Sequence, residues 1–262
     1  MKQPLYIIKI GGNIIDDPNR LSTFLSEFSR IDGKKILVHG GGKIATTLAE
    51  KLDIKQNIVD GRRITDGETL KIITMVYAGY VNKNIVALLQ ANGLNAIGLT
   101  GADGNAVLAH KRRNAAIDYG FAGDIDRINT DFIQELLEKD MTLVFAPVTH
   151  DKKGQLLNTN ADTLAQELAK GLSVTYAVTL IYSFEKNGVL LDTLDENSVI
   201  KEINPDSYKR LKDDQKIVAG MIPKLDNAFA ALNNGVKKVV IGNAIELHSL
   251  IAGQAGTTIA NE

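Results

Sequence analysis

The chain has 262 residues, enough for one large core or two modest ones. Its 30 Lys and Arg against 31 Asp and Glu give a net charge of -1, so no global basic field exists to draw in nucleic acid or an anionic membrane. Cysteine is absent, which excludes disulfides, cysteine–zinc sites and thiol nucleophiles and fits a reducing cytoplasm. There is no run of about 18 apolar residues, and the N-terminus turns strand-like almost at once, so neither a membrane span nor a signal peptide is expected.

Taken in chain order, strand-like runs recur at 6–10, 35–38, 96–99, 141–146, 176–181 and 238–241. Helical patterns lie between them at about 20–29, 43–51, 68–90, 131–139, 162–170 and 224–233. Thr65 and Glu68 have the spacing of a capping box ahead of the long helix. Gly93, Gly171 and Gly235 each follow a helical run, where a left-handed residue is wanted. Residues 105–130 and 148–158 are polar and rich in turn residues, with a hairpin expected around Lys153-Gly154. Strands alternating with helices imply an α/β fold with a mainly parallel sheet between helical layers. No linker is visible, and only a soft division near residue 170 separates two halves.

The first two strands both stop in glycines: Lys9-Ile10-Gly11-Gly12 and His39-Gly40-Gly41-Gly42-Lys43. A strand that ends in glycines and leads into a helix exposes backbone N–H groups and a positive helix end, which together hold anions. Two such turns, with Lys9 on the first, suggest a polyphosphate site; a ligand-free tight turn is the plainer alternative. Gly40 to Ala45 also fits G-x-G-x-x-G/A, with Asp60 at about the expected distance. A dinucleotide fold places that turn after its first strand, whereas this one follows the second. Neither a Walker lysine loop nor G-x-S-x-G occurs.

Gly220-Met221-Ile222-Pro223-Lys224 opens a helix, with Pro223 suited to the first turn. Lys224 then stands at the positive end of the helix dipole, a cost that a bound phosphate would offset. Asp162, in the first turn of another helix, is favoured there by the dipole alone, and it is also a counter-charge for the two lysines. Arg62-Arg63 just before the long helix is either a carboxylate clamp or a solvated basic loop.

Taken together, KIGG at 9–12, HGGGK at 39–43, RITD at 63–66, NTNAD at 158–162, GMIPK at 220–224 and GTTI at 256–259 resemble the amino acid kinase family, and within it the N-acetylglutamate kinases. The resemblance spans residues 6–259. It implies an αβα sandwich with an acyl-amino-acid half, about 1–170, and an ATP half, about 171–262. It implies transfer of phosphate from ATP, with Mg²⁺, to the γ-carboxylate of an N-acyl-L-glutamate in arginine biosynthesis. By matching motifs, Lys9 and Lys224 would stabilise the transferring phosphoryl group and Asp162 would hold them. Gly11, Gly12, Gly41 and Gly42 would supply backbone donors, and Arg63 and Asn158 would hold the α-carboxylate. A carboxylate is ionised at neutral pH, so no general base is needed, and the hairpin at 148–158 is the candidate lid over a water-sensitive acyl phosphate.

The chain departs from the family at three places. Arg62 stands where leucine is usual, Ala122 where valine is usual, and Phe184-Glu185-Lys186-Asn187-Gly188 where the nucleotide-side segment usually reads S/T-D-V-x-G. The first two changes enlarge the acyl pocket and add a cation to it, so N-succinyl-L-glutamate is an alternative to N-acetyl-L-glutamate. A ligand sensor without catalysis and a nicotinamide-dependent oxidoreductase are the alternatives from other classes. The family's homodimer is expected. Members that respond to arginine carry an extra helix before the first strand, which here begins by about Leu5; a dimer insensitive to arginine is therefore expected.

Overall fold

The computed structural model describes residues 2–261 other than 60, 61, 114, 115, 193, 215 and 218–220, and for Arg62 the backbone only. In chain order the elements are β1 (Pro4–Ile10), α1 (Gly12–Ile15), α2 (Pro18–Ser29), β2 (Lys34–Val38), α3 (Gly42–Lys51), β3 (Asn57–Val59), β4 (Arg62–Ile64) and α4 (Gly67–Ile73). A π-helical segment at Thr74–Val81 leads into α5 (Asn82–Ala91), followed by β5 (Ala96–Leu99), β6 (Val107–Lys111), β7 (Gly123–Ile128), α6 (Thr130–Glu138) and β8 (Thr142–Phe145). Then come β9 (Val148–His150), β10 (Leu156–Asn158), α7 (Ala161–Leu172), β11 (Ala177–Phe184), β12 (Glu202–Ile203) and α8 (Pro205–Asp213). The chain closes with α9 (Ile222–Asn233), β13 (Lys238–Asn243), α10 (Leu247–Ala252) and β14 (Thr257–Ile259). The expected α/β class and its mainly parallel pairing are what the structure shows.

The chain divides into two compact units, one of residues 1–35 with 165–262 and the other of residues 36–164. A single cut near residue 170 does not describe this division. β1 pairs in parallel with β11 over its whole length, so the first strand belongs with the C-terminal segment.

In the first unit the strand order is β12-β14-β13-β11-β1. All neighbours are parallel except β13 and β14. Leu5, Ile7, Ile8, Ile10, Leu180, Ile181, Val239, Val240 and Ile241 are fully buried. Parallel strands covered on both faces need apolar residues at successive positions, and this is why they read as continuous runs. α9 packs on β13 and β14, and α10 on β11 and β13. α2 starts at Pro18 and is capped by Asp17, whose carboxylate accepts from the amides of Asn19 and Arg20 at 2.9 and 3.1 Å.

In the second unit β2, β8 and β5 run parallel, with β8 in the middle. A four-stranded sheet, β10-β9-β6-β7, lies in the same unit, as does the β3–β4 hairpin. The hairpin expected around Lys153-Gly154 is the β9–β10 turn, closed by the Asp151 amide on the Gln155 carbonyl at 3.1 Å, with Gly154 at φ 93°. The long helix runs continuously over Gly67–Ala91 and is long and apolar enough to cross a membrane by length and composition. It buries Leu70, Ile72, Ile73, Val76, Tyr77, Val81, Ile85 and Leu89 within the unit, as a core helix does.

Three local expectations are corrected. The cap of the long helix is Asp66, which accepts from the Thr69 amide at 2.8 Å; Thr65 instead bridges to Gly120 as an extended residue. Gly171 lies inside α7 and ends nothing, because the helix runs on to Leu172. The long helix is also not uniformly α, since its middle third is π.

Candidate functional site

Lys9 lies on β1 opposite Tyr182 of β11, and Ile10 is followed by Gly11 and Gly12. Lys9, Gly11, Gly12 and Lys224 line one cavity of about 250 Å³, together with Asn13, Tyr182, Ser183, Phe184 and Glu185. The two lysines expected from sequence therefore face the same space in the first unit. Lys224 is in the first turn of α9 beside Pro223, and its ammonium lies 5.9 Å from the centre of the Tyr182 ring. Asn13 donates to the Glu185 carboxylate at 2.8 Å on the rim.

The glycines of this turn differ in role from the expectation. The Gly11 amide donates to the Ser183 carbonyl at 2.9 Å, continuing the sheet ladder, so it is not an available anion donor. What Gly11 provides is close approach: a Cβ there would lie 3.3 Å from the Phe184 Cβ. Gly12 opens α1, where the leading amides of a helix have no partner within the helix.

A second cavity in the same unit, of about 130 Å³, is lined by Phe184, Lys186, Gly188, Val189, Leu190, Ile217 and Met221. Phe184 faces both cavities. Phe184, of the segment expected on the nucleotide side, thus stands between a polar space and an apolar one. Gly220 of the GMIPK motif lies outside the described residues.

In the second unit Arg63 is held from three sides. It donates to the Gly42 carbonyl at 3.1 Å, to the Thr46 hydroxyl at 2.9 Å and to the Gln56 side-chain carbonyl. Gly41, just before, has φ 149°, a backbone shape that favours glycine. The Tyr77 ring and Val81 press on it. Asn158 donates to the Thr65 hydroxyl at 3.0 Å, and its amide donates to the Phe121 carbonyl at 2.9 Å. Ala122 bridges to Asn158, and Thr65 to Gly120. Arg63, Thr65, Ala122 and Asn158 are thereby tied into one strip. Arg62 is a strand residue of β4; its side chain, like Asp60, lies outside the described residues.

His39 is fully buried. Its Nδ1 donates to the Gly40 carbonyl at 2.7 Å and its Nε2 accepts from Asn82 at 3.1 Å. Burial pushes its pKa down to about 4, so the ring is neutral and fixed at both nitrogens. It is a brace for the glycine turn and not a base. Asp162 sits in the first turn of α7, whose leading amides are capped by Asn160: the Asp162 and Thr163 amides donate to its side chain at 2.9 and 3.0 Å. Asp162 is therefore not needed as the cap.

Among the described residues no three His, Asp or Glu side chains gather into a metal cage. The residues that sequence reasoning passed over are Tyr182 beside Lys224, Thr46 and Gln56 on Arg63, and Tyr77 on Gly41. Their side-chain types carried no local signal, because each acts through a partner distant in sequence.

The chain matches the amino acid kinase family model over residues 4–243. It is 56% identical over 250 residues to an acetylglutamate kinase of Cytophaga hutchinsonii, covering 95% of each chain. It is 52% identical over 259 residues to one of Phocaeicola vulgatus, covering 99% of each. Among solved structures it superposes on a protein of Streptococcus mutans UA159 with a TM-score of 0.79 at 27% identity, covering 98% of this chain and 99% of the other.

Proposed function

This chain belongs to the amino acid kinase family, and we propose that it transfers the γ-phosphoryl group of ATP to the γ-carboxylate of N-acetyl-L-glutamate. The observation that carries the reading is the placing of Lys9 and Lys224 on one cavity beside the glycine turn. Two cations and a helix start are what a transferring phosphoryl group needs, since its charge is spread over three equatorial oxygens.

A carboxylate oxygen of the acceptor attacks the γ-phosphorus, and the bond from that phosphorus to the β–γ bridging oxygen breaks. ADP leaves, and the product is an acyl phosphate. No proton moves, because a carboxylate with a reference pKa of about 4.3 is already ionised. Lys9 and Lys224 lower the repulsion between two anions and stabilise the charge that builds on the bridging oxygen. Mg²⁺, when bound with ATP, neutralises β- and γ-phosphate charge. Asp162 is the proposed counter-charge that keeps the lysines oriented. The apolar cavity behind Phe184 suits the adenine ring, and Gly12 the phosphates. Arg63 suits the α-carboxylate by its charge and by the guanidinium N–H groups that Gly42, Thr46 and Gln56 leave over, with Asn158 as a second polar contact. A homodimer and a cytoplasmic location belong to the same proposal. Ala122 and Arg62 leave N-succinyl-L-glutamate as an acceptor to be tested, although the relatives are named for the acetyl compound.

The test is ADP release with ATP, Mg²⁺ and N-acetyl-L-glutamate, with Lys9→Ala alongside. Removing one such donor costs roughly 2.7–4 kcal/mol of barrier, a fall in kcat of about 10²–10³, while ATP binding changes little. Unchanged turnover in a folded Lys9→Ala protein would remove Lys9 from the chemistry.

A further inference from the structure

Tyr77 lies in the π-helical segment of the long helix and is 7% exposed. A Cβ on Gly41 would lie 3.0 and 3.1 Å from two carbons of its ring and 3.3 Å from Val81 Cγ2, so both side chains close on the glycine turn. π turns shift the side chains around them by one position and recur at functional sites. Here the shift sets an aromatic ring against the turn that opens α3.

The ring's polar end is the more telling feature. A point one Cβ length from Gly42 is 3.9 Å from the Tyr77 hydroxyl and equally 3.9 Å from the Arg63 guanidinium. Two polar groups, from the long helix and from β4, converge on one spot at the start of α3. Burial disfavours ionisation of the phenol, and the charge of the nearby Arg63 favours it. A guanidinium has donors only, so Arg63 cannot take the hydroxyl hydrogen, which is left for an acceptor. A buried phenol normally finds an acceptor, and the acceptor suited to a spot next to an arginine is an anion.

We propose that Tyr77 is a specificity-determining residue of the acyl-amino-acid site, donating its hydroxyl hydrogen to the carboxylate that Arg63 clamps. The inference rests on the proposed role of Arg63 toward the substrate's α-carboxylate. The ligand class it selects is an N-acyl α-amino acid with that carboxylate free.

Tyr77→Phe keeps the ring against Gly41 and removes only the hydroxyl. A lost hydrogen bond to a charged group predicts a rise in KM for N-acetyl-L-glutamate of about 10- to 100-fold, with kcat and the KM for ATP near wild type. Binding of the α-carboxamide analogue of N-acetylglutamate supplies the readout that packing would not move. The wild-type protein discriminates strongly against the analogue, and Tyr77→Phe discriminates less. An unchanged KM in Tyr77→Phe overturns the proposal. So does a variant that weakens both compounds equally, because the hydroxyl then serves packing alone. If Arg63→Ala raises KM and Tyr77→Phe does not, the clamp stands and this inference falls. If neither moves KM, the clamp falls with it.

Discussion

Alanine at position 41 is a sharp probe of the second glycine turn. Gly41 has φ 149° and ψ 20°, a conformation that costs an alanine about 1–3 kcal/mol. The added methyl would also lie 3.0 and 3.1 Å from Tyr77 ring carbons, inside the ordinary carbon–carbon separation of about 3.5–4.0 Å. Tyr77 is buried and cannot swing out freely, so overpacking adds a further ~1–3 kcal/mol. The sum, about 2–6 kcal/mol, lowers the melting temperature by roughly 5–15 °C in a chain of this size. Relief of the clash moves the start of α3, whose Gly42 carbonyl receives Arg63, so KM for the acyl-amino acid rises as well. Gly40→Ala is the control: nothing lies within 4 Å of a Cβ there and its φ is not in the left-handed region, so stability changes by no more than about 0.5 kcal/mol. Calorimetry with a KM determination decides the matter. If Gly41→Ala melts like wild type and binds substrate equally well, the turn is not locked as described.

Asp162→Asn abolishes most activity with little loss of stability, because Asn160 carries the cap; Asn160→Ala does the reverse, losing about 1 kcal/mol. A sharp fall in melting temperature for Asp162→Asn, with normal activity per folded molecule, would make Asp162 structural. His39 is neutral in the fold with its pKa lowered from 6.5 to about 4. Between these values the unfolded chain binds more protons, so His39's contribution of roughly 2–4 kcal/mol is fully present above pH 6.5 and is lost as pH falls toward 4. Melting scans across that window for wild type and His39→Asn should show a steeper slope in the wild type; equal slopes would contradict the buried neutral ring. For the acyl group, kcat/KM is compared for N-acetyl- and N-succinyl-L-glutamate in wild type and in Arg62→Leu. A preference for acetyl that Arg62→Leu leaves unchanged excludes a role for Arg62 in acyl choice, and a preference for succinyl that reverses establishes one.

The strands buried on both faces were legible because continuous apolar runs ending in glycine have few other uses; the run expected at 96–99 is β5 without change. The helix at 43–51 and the hairpin at Lys153-Gly154 were legible for the same local reasons. What escaped notice depended on distant partners. Nothing in residues 1–35 says that they fold with 165–262, because that grouping arises from parallel pairing across more than half the chain. The π segment reads as ordinary helix, since an apolar stretch such as Met75-Val76-Tyr77-Ala78 suits either winding. α8 has no buried residue and so shows no apolar stripe, and it is held by the reciprocal cap of Asn204 and Ser207. β6 and β7 are broken by a register shift at Leu108/Ala109, which disrupts the alternation a strand is recognised by. Lys9, Lys224, Arg63 and Asn158 are singled out in the sequence by their motifs. That Gly11 spends its amide on Ser183 and that Tyr77 reaches Gly41 are facts of packing that no local pattern encodes.

The central claim is that a γ-carboxylate receives the phosphoryl group, and trapping the product tests it most directly. An acyl phosphate reacts with hydroxylamine to give a hydroxamate, whereas a phosphate ester or a hydrolysed nucleotide does not. With ATP, Mg²⁺, N-acetyl-L-glutamate and hydroxylamine, one γ-hydroxamate is expected for each ADP released, with both slowed about 10²–10³-fold in Lys9→Ala. ADP released without hydroxamate, or hydroxamate formed at wild-type rate in Lys9→Ala, would contradict it.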